Sequence, residues 1–178
     1  NYIPESAIPF QTGLVFNYDS GQFEKNMDTA LSMINYDGFA ARRDTSKAKG
    51  KLRGIGISNV IEQAAGGFPE WAEIRFDPSG TVTVVMGTHN HGQGHETVFR
   101  QMLADKLGLE FEQIRYQQGD SANGMAGTGT FGSRSTSVGG SSLLLAANKV
   151  IDKARHMASH QLEAAENDLE FADGTFTV

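Results

Sequence analysis

Residues 72–94 read as strand, turn, strand and glycine-rich loop, and a helix follows at once. That order admits few folds. In "AEIRFDPSGTVTVVM", Ala72, Ile74 and Phe76 alternate with Glu73 and Arg75, the period of a half-buried strand. Asp77-Pro78-Ser79-Gly80 puts proline and glycine at the second and fourth positions of a type I turn. Val82, Val84 and Met86 then alternate with Thr81 and Thr83 as the return strand. This strand runs straight into "GTHNHGQGHE". Beyond it Phe99, Leu103 and Leu107 share one helical face, and Gly108 is the expected C-terminal stop. A sheet with an apolar face and a helix with an apolar stripe must cover each other. The expected class is therefore α+β, a mixed β-sheet with packed helices.

The rest of the chain fits around this unit. Residues 1–22 contain Pro4 and Pro9, show little periodicity and are expected to form an extended arm before an α+β body over 23–178. Met27, Leu31 and Ile34 predict a helix from Phe23, with Gly38 as a possible interruption and "RRDTSKAKGK" as a solvated helix end or linker. "LRGIGISNVI" predicts a buried strand, and "FEQIRYQQGD" a short strand and its exit. Leu144, Ala147, Ile151, Ala154, Ala158 and Leu162 predict a long helix starting near Ser137–Ser142. "LEFADGTFTV" predicts a hairpin turning at Asp173-Gly174.

Composition narrows the function. A net charge of −6 argues against a nucleic-acid or anionic-membrane surface, which needs a basic face. The chain has no cysteine, which removes disulfides, thiolate metal sites and cysteine nucleophiles. No apolar run reaches the roughly 18 residues of a membrane span. The chain opens without methionine in a loop-like stretch and stops directly after a strand-like one, so it is expected to be a piece of a longer protein.

Twice, a polar glycine-rich loop feeds a helix: first over residues 87–97, then over 127–140. The first turn of a helix leaves four N–H groups without internal partners and carries roughly half a positive charge. Glycine lets a ligand approach the backbone, so either start suits a phosphate, a pyrophosphate or another oxyanion. Glycine and serine before a helix are also ordinary caps and turns. His89, His91 and His95 offer a metal alternative, but no carboxylate joins them at a standard spacing and no His-Glu-x-x-His helix is present. Gly92-Gln93-Gly94 lacks the third glycine of a dinucleotide fingerprint, which would fall at Thr97. No Gly-x-Ser-x-Gly elbow supports a serine hydrolase. The stretch Gly119–Gly140 has little apolar area to offset its ordering entropy, about 1–2 kcal/mol per residue. Without a ligand it is expected to be the most mobile part of the chain between about Asp120 and Phe131, with only Ser133–Ser137 held as a helix cap.

"GTHNHGQGHETVFRQMLADKLGL", then "GD", then "GTGTFGSRSTSVGGSSLLLAANKV" resembles the molybdenum-binding region of the xanthine oxidase / aldehyde oxidase family, with the large subunits of bacterial carbon monoxide dehydrogenases nearest in flavour. "NYIPESAIPF", "YDSGQFEKNMDTAL", "GIGIS" and "LEAAENDLEFADGTFTV" extend the likeness over essentially the whole chain. The resemblance implies part of a molybdopterin-binding domain. The full-length protein would be an oxidoreductase that oxidises a small-molecule substrate with water-derived oxygen. Its cofactor would be molybdenum-molybdopterin, in bacteria as the cytosine dinucleotide. Iron–sulfur clusters and FAD would sit on other subunits or domains, implying an iron–sulfur small subunit, an FAD-binding medium subunit, an oligomeric enzyme and a cytoplasmic location.

Carried over residue by residue, the resemblance assigns cofactor contacts to His91, Gly92, Gln93 and Gly94, with His95 and Thr97 in the first helical turn. The second loop contributes Thr130, Phe131, Gly132, Ser133, Arg134 and Ser135. Arg134 has two readings, a phosphate partner or a carboxylate partner. Glu62 resembles a substrate-pocket wall, yet a solvated or paired carboxylate is favoured there. No histidine ligates the metal in this scheme, no catalytic residue lies within the chain, and residues 1–178 alone would be inactive. A stand-alone nucleotide- or phosphate-binding module is the alternative.

Overall fold

The computed structural model describes residues 2–13, 16–64, 67–123 and 127–178. The chain divides into two compact units, Asn1–Ile61 and Glu62–Val178. In the first, β1 (Phe10–Gln11) and β2 (Asn17–Tyr18) form a short antiparallel pair, followed by helices α1 (Phe23–Met33) and α2 (Phe39–Ala48). Met27 and Leu31 lie on the less exposed side of α1, as their spacing predicts, whereas Ile34 falls beyond the helix end and is exposed. Gly38 separates the helices, and a Cβ there would lie 2.5 Å from the Asn35 side chain.

"LRGIGISNVI" does not form the predicted strand. Residues 51–64 carry no regular structure, and Leu52 and Val60 are 99% and 84% exposed. Their composition favours a strand, but a strand needs a partner edge, and no strand of the described residues pairs with this segment.

The second unit is built on β3 (Ala72–Phe76), β4 (Val82–Met86) and β5 (Ile114–Gln118), in that order across the sheet. The β3–β4 hairpin is antiparallel in the expected register, Ala72 facing Met86 and Phe76 facing Val82. Its turn closes through Gly80 N–H donating to the Asp77 carbonyl at 2.9 Å. Strand β5 runs parallel to β4, so the chain must cross over between them. Helix α3 (His95–Leu107) makes that crossing and ends at Gly108, whose φ of +64° is the left-handed cap expected there. A Cβ on Gly108 would also lie 2.1 Å from the Gly174 backbone nitrogen, because the β6–β7 hairpin (Glu170–Ala172, Thr175–Thr177) packs against this corner.

The core joins Val82, Val84 and Met86 of β4, Ile114 of β5, Phe99, Leu103 and Leu107 of α3, and Leu143 and Ala147 of the long helix α4 (Ser141–Leu162). Ala147, Ile151, Ala154 and Ala158 lie on the covered side of α4 as their spacing predicts; in the first turn Leu143 is fully buried and Leu144 is 38% exposed. A π-helical segment over Ser135–Gly140 precedes α4. Gly139 and Gly140 are buried inside it, and a Cβ on Gly139 would approach Thr88 Cγ2 to 2.8 Å.

Candidate functional site

Strands β4 and β5 are parallel, and the chain leaves both at the same end of the sheet. In open sheets of this kind ligands bind outside the carboxyl ends of the strands. Here β4 exits into Gly87–Gly94, β5 exits into Gly119, and the second glycine-rich loop returns to the same end. One hydrogen bond joins the loops, and a second braces its acceptor from within the second loop. His89 N–H donates to Thr130 Oγ1 at 2.8 Å, and Ser135 Oγ donates to the same oxygen at 3.2 Å. The first loop is also held from below, with Asn90 N–H on Gln118 Oε1 at 2.8 Å and Tyr116 Oη donating to that oxygen at 2.8 Å. Burial pushes the Tyr116 phenol up to about 12, the neighbouring Thr88 hydroxyl only partly opposing this, so it remains a donor at neutral pH.

Between the loops lies a cavity of about 510 Å³. It brings together His91, Gln93 and His95 from the first loop and helix start with Thr130, Phe131, Gly132, Ser133 and Ser135 from the second. Val98, Phe99 and Thr136 complete the lining; the sequence marks Phe99 only as part of an apolar helical face, and the other two not at all. Phe99 and Val98 follow the first loop on α3, so helical spacing from His95 would have found them. Gly92, Gly94, Thr97 and Arg134 do not line it. Gly92 and Gly94 act on the backbone, with φ of +108° and +79° at the turn into α3.

No side chain caps the start of α3, where His95 lines the cavity, so its first N–H groups have no side-chain partner. Gln93 Oε1 accepts the His91 N–H, which leaves the Gln93 amide NH2 as a donor without a partner among the described residues. His95 is 5% exposed, and its Nδ1 is buried with no hydrogen-bond partner among the described residues. Burial, and then repulsion from His91 and His89, lowers its pKa, which keeps the ring neutral at pH 7. Among the described residues no three His, Cys, Asp or Glu side chains converge as a metal site. Uncapped helix N–H groups and a free amide are donors for an oxygen-rich ligand, and the orphaned imidazole nitrogen donates or accepts according to its tautomer.

The structure gives partners to two side chains whose readings the sequence leaves open. Arg134 is 1% exposed, and its guanidinium is committed to Glu70 and to the carbonyls of Gly129, Phe68 and Pro69, so of its two readings the carboxylate partner holds. The Ser133 hydroxyl donates to Glu62 Oε1 at 2.9 Å, so Glu62 is a paired carboxylate, as its sequence context suggests. Ser133 itself takes a φ of +55° beside Gly132 at +56°. A serine in that region costs on the order of 1 kcal/mol, a strain typical of ligand-gripping turns. The second loop is also better anchored than its composition implies. Residues 124–126 lie outside the described residues, but Thr128 and Gly129 donate N–H bonds to Glu70 at 3.1 and 3.0 Å. The hold on this loop therefore starts well before Ser133.

These groups set an acid limit. Burial alone would raise the Glu70 pKa, but Arg134 and the N–H groups of Trp71, Gly129 and Thr128 outweigh it and hold it below the usual 4.5. A depressed carboxylate stabilises the fold above its unfolded value, and that stability is lost as pH falls through its folded value. His95 acts in the same direction. Its unfolded form takes up a proton near 6.5 while the folded form resists, so stability falls as pH drops below that value. Thermal melts should show a declining midpoint from about pH 6.5 to 5, and His95→Leu should flatten that segment while leaving the steeper loss below about pH 4.5. An unchanged slope in the variant would remove His95 from the account.

The sequence model of the molybdopterin cofactor-binding domain family matches residues 29–178. The carbon monoxide dehydrogenase large chain of Hydrogenophaga pseudoflava is 35% identical across 100% of this chain. The nicotine 6-hydroxylase large subunit of Paenarthrobacter nicotinovorans is 35% identical across 90% of it. The solved structure of reconstituted CO dehydrogenase from Oligotropha carboxidovorans superposes with a TM-score of 0.69 at 35% identity over 100% of the chain. The chain spans only 24%, 21% and 24% of the lengths of these relatives. Among the described residues no helix is long and apolar enough to cross a membrane. With both glycine-rich loops inside the matched span and gathered around one cavity, the chain belongs to the molybdopterin cofactor-binding domain family.

Proposed function

We propose that the full-length protein is the large subunit of a molybdenum hydroxylase and that the cavity between the two loops holds part of its cofactor. The observation that carries this reading is the convergence of polar groups without a protein partner among the described residues: the uncapped start of α3, the Gln93 amide and the His95 ring line or border one cavity. When bound, molybdenum-molybdopterin supplies two-electron oxidation of a small-molecule substrate with oxygen from water. This chain's residues bind and orient. Gln93 offers its NH2 to the pterin end. His91, Gly92 and Gly94 shape the loop that presents it, and His95 and Thr97 bring the first turn of α3 to the ligand. Thr130, Gly132 and Ser135 offer backbone and hydroxyl groups from the opposite wall, and Phe131 and Phe99 exclude water. Arg134 contributes from beneath the loop, and the Ser133 hydroxyl through Glu62.

The relatives' names suggest carbon monoxide or an N-heterocycle as substrate, and the acidic, cysteine-free chain is consistent with a cytoplasmic enzyme. The cytosine dinucleotide form of the pterin, an iron–sulfur small subunit, an FAD-binding medium subunit and an oligomeric assembly complete the proposal. Residues 1–178 alone lack activity in this scheme.

Metal analysis and pterin extraction of the purified full-length protein test it. About one molybdenum and one pterin per subunit are expected, and a stable, folded protein containing neither would overturn the reading. Gln93→Ala should lower turnover by about 10- to 100-fold, the value of one lost hydrogen bond to a charged or polarised oxygen. Because Gln93 is exposed, the melting midpoint should barely move. Full turnover at full molybdenum loading would remove Gln93 from the site.

A further inference from the structure

We propose that Glu70, a residue outside every motif in the sequence, is the positioning residue of the second loop and builds it before any ligand arrives. Glu70 and Arg134 form an ion pair with side chains 0% and 1% exposed. Glu70 Oε1 accepts N–H bonds from Trp71 at 3.0 Å and Thr128 at 3.1 Å, and Oε2 accepts Gly129 N–H at 3.0 Å and Arg134 Nη1 at 2.5 Å. A carboxylate has about four lone-pair sites, so Glu70 is saturated. Arg134 Nη1 also donates to the Gly129 carbonyl, and Nη2 donates to Phe68 O at 2.8 Å and Pro69 O at 3.1 Å. Ser142 Oγ on α4 donates to the Glu70 carbonyl at 2.9 Å. The run Thr130–Ser133, which lines the cavity, is thus clamped at both ends, at Thr128–Gly129 and at Arg134.

A purely stabilising role explains less. Buried ion pairs are weak contributors to stability, and an apolar pair of similar volume often does as well or better. An apolar pair cannot accept the N–H groups of Thr128 and Gly129. Those groups sit in a stretch of glycine, serine and threonine with no regular ladder to satisfy them. The pair is therefore suited to fixing the loop's shape. That it shapes a molybdopterin cradle rests on the proposed function; that it shapes the loop does not.

Amide exchange on the full-length subunit, purified free of cofactor, separates the two. In the unsubstituted protein Thr128 and Gly129 should be protected to within about tenfold of Glu73 and Val85, a hydrogen-bonded pair of the β3–β4 hairpin. Glu70→Gln, which keeps the shape and one acceptor oxygen, should speed exchange at Thr128 and Gly129 by about 10-fold or more. The uncharged double variant Glu70→Met/Arg134→Met should speed it by about 100-fold while the hairpin amides change little. Molybdenum content in cofactor-replete cells should fall in the same order. Free exchange at Thr128 and Gly129 in the unsubstituted protein would overturn the proposal, and so would equal loosening of loop and hairpin in both variants. A protein that carries no pterin but shows the predicted exchange pattern would sink the molybdopterin reading and leave the clamp standing.

Discussion

Replacing Gly87 with alanine is expected to separate the two loops and empty the cavity of cofactor. A Cβ at Gly87 would lie 2.1 Å from Glu70 Oε1 and 2.8 Å from Gly127 Cα. The second contact is backbone and cannot swing aside. The first is a carboxylate already committed to four donors, so moving it breaks hydrogen bonds to a charged group worth about 1.5–3 kcal/mol each. Overpacking adds about 1–3 kcal/mol. The combined penalty, roughly 4 kcal/mol, falls on one crossing point. Gly127 meets the same limit from the other side, with a Cβ 2.4 Å from Gly87 Cα. Both substitutions should lower molybdenum content at least tenfold and expose the Thr128 and Gly129 amides. Gly54→Ala is the matched control, since a Cβ there meets nothing within 4 Å, and it should stay within about 0.5 kcal/mol of the parent in denaturant titrations. Normal cofactor loading in Gly87→Ala would mean that the loops do not need this close crossing.

That crossing marks the limit of what the sequence discloses. The hairpin, α3, its glycine stop, β5, α4 and the terminal hairpin are all legible because each has a local signal: period two, period 3.6, or a turn residue at a fixed place. The two loops are legible as a pair for the same reason, since glycine-rich sequence before a helical pattern is local information. Glu70 is not legible. It follows Pro69 at the head of a strand and looks like any surface carboxylate; its role arises from Arg134, 64 residues away. The assignment of Arg134 stays open at the sequence level because phosphate and carboxylate present the same forked acceptor to a guanidinium. "LRGIGISNVI" shows the opposite case. Its local signal is strong, but pairing is a tertiary event, and among the described residues no edge receives it.

Phe99→Ala should cause the largest loss of stability from any single side-chain truncation around the cavity. Phe99 is fully buried, and its ring stacks on Tyr116 at 6.1 Å between centroids and lies 5.3 Å from the His95 ring. Truncating a buried phenylalanine costs about 3–5 kcal/mol, because the apolar surface is lost and the hole it leaves collapses only partly. Here the hole would open directly onto the cavity, since Phe99 also lines it. Water entering there would reach His95 and remove the burial that keeps its imidazole neutral. The variant should therefore differ from an ordinary core truncation in two ways: its denaturation midpoint drops, and the acid slope assigned to His95 shrinks with it. Val98 supplies the comparison. It lines the same cavity one residue earlier but is 36% exposed, so Val98→Ala should cost under about 1 kcal/mol and leave the pH dependence intact. Phe99→Leu should fall between them, about 1–2 kcal/mol below the parent, because it keeps most of the apolar contact without filling the ring's volume. Equal losses for Phe99→Ala and Val98→Ala in denaturant titrations would show that α3 is held at this end by its neighbours and not by the ring, and the wall of the cavity would have to be built from Tyr116 and Met86 instead.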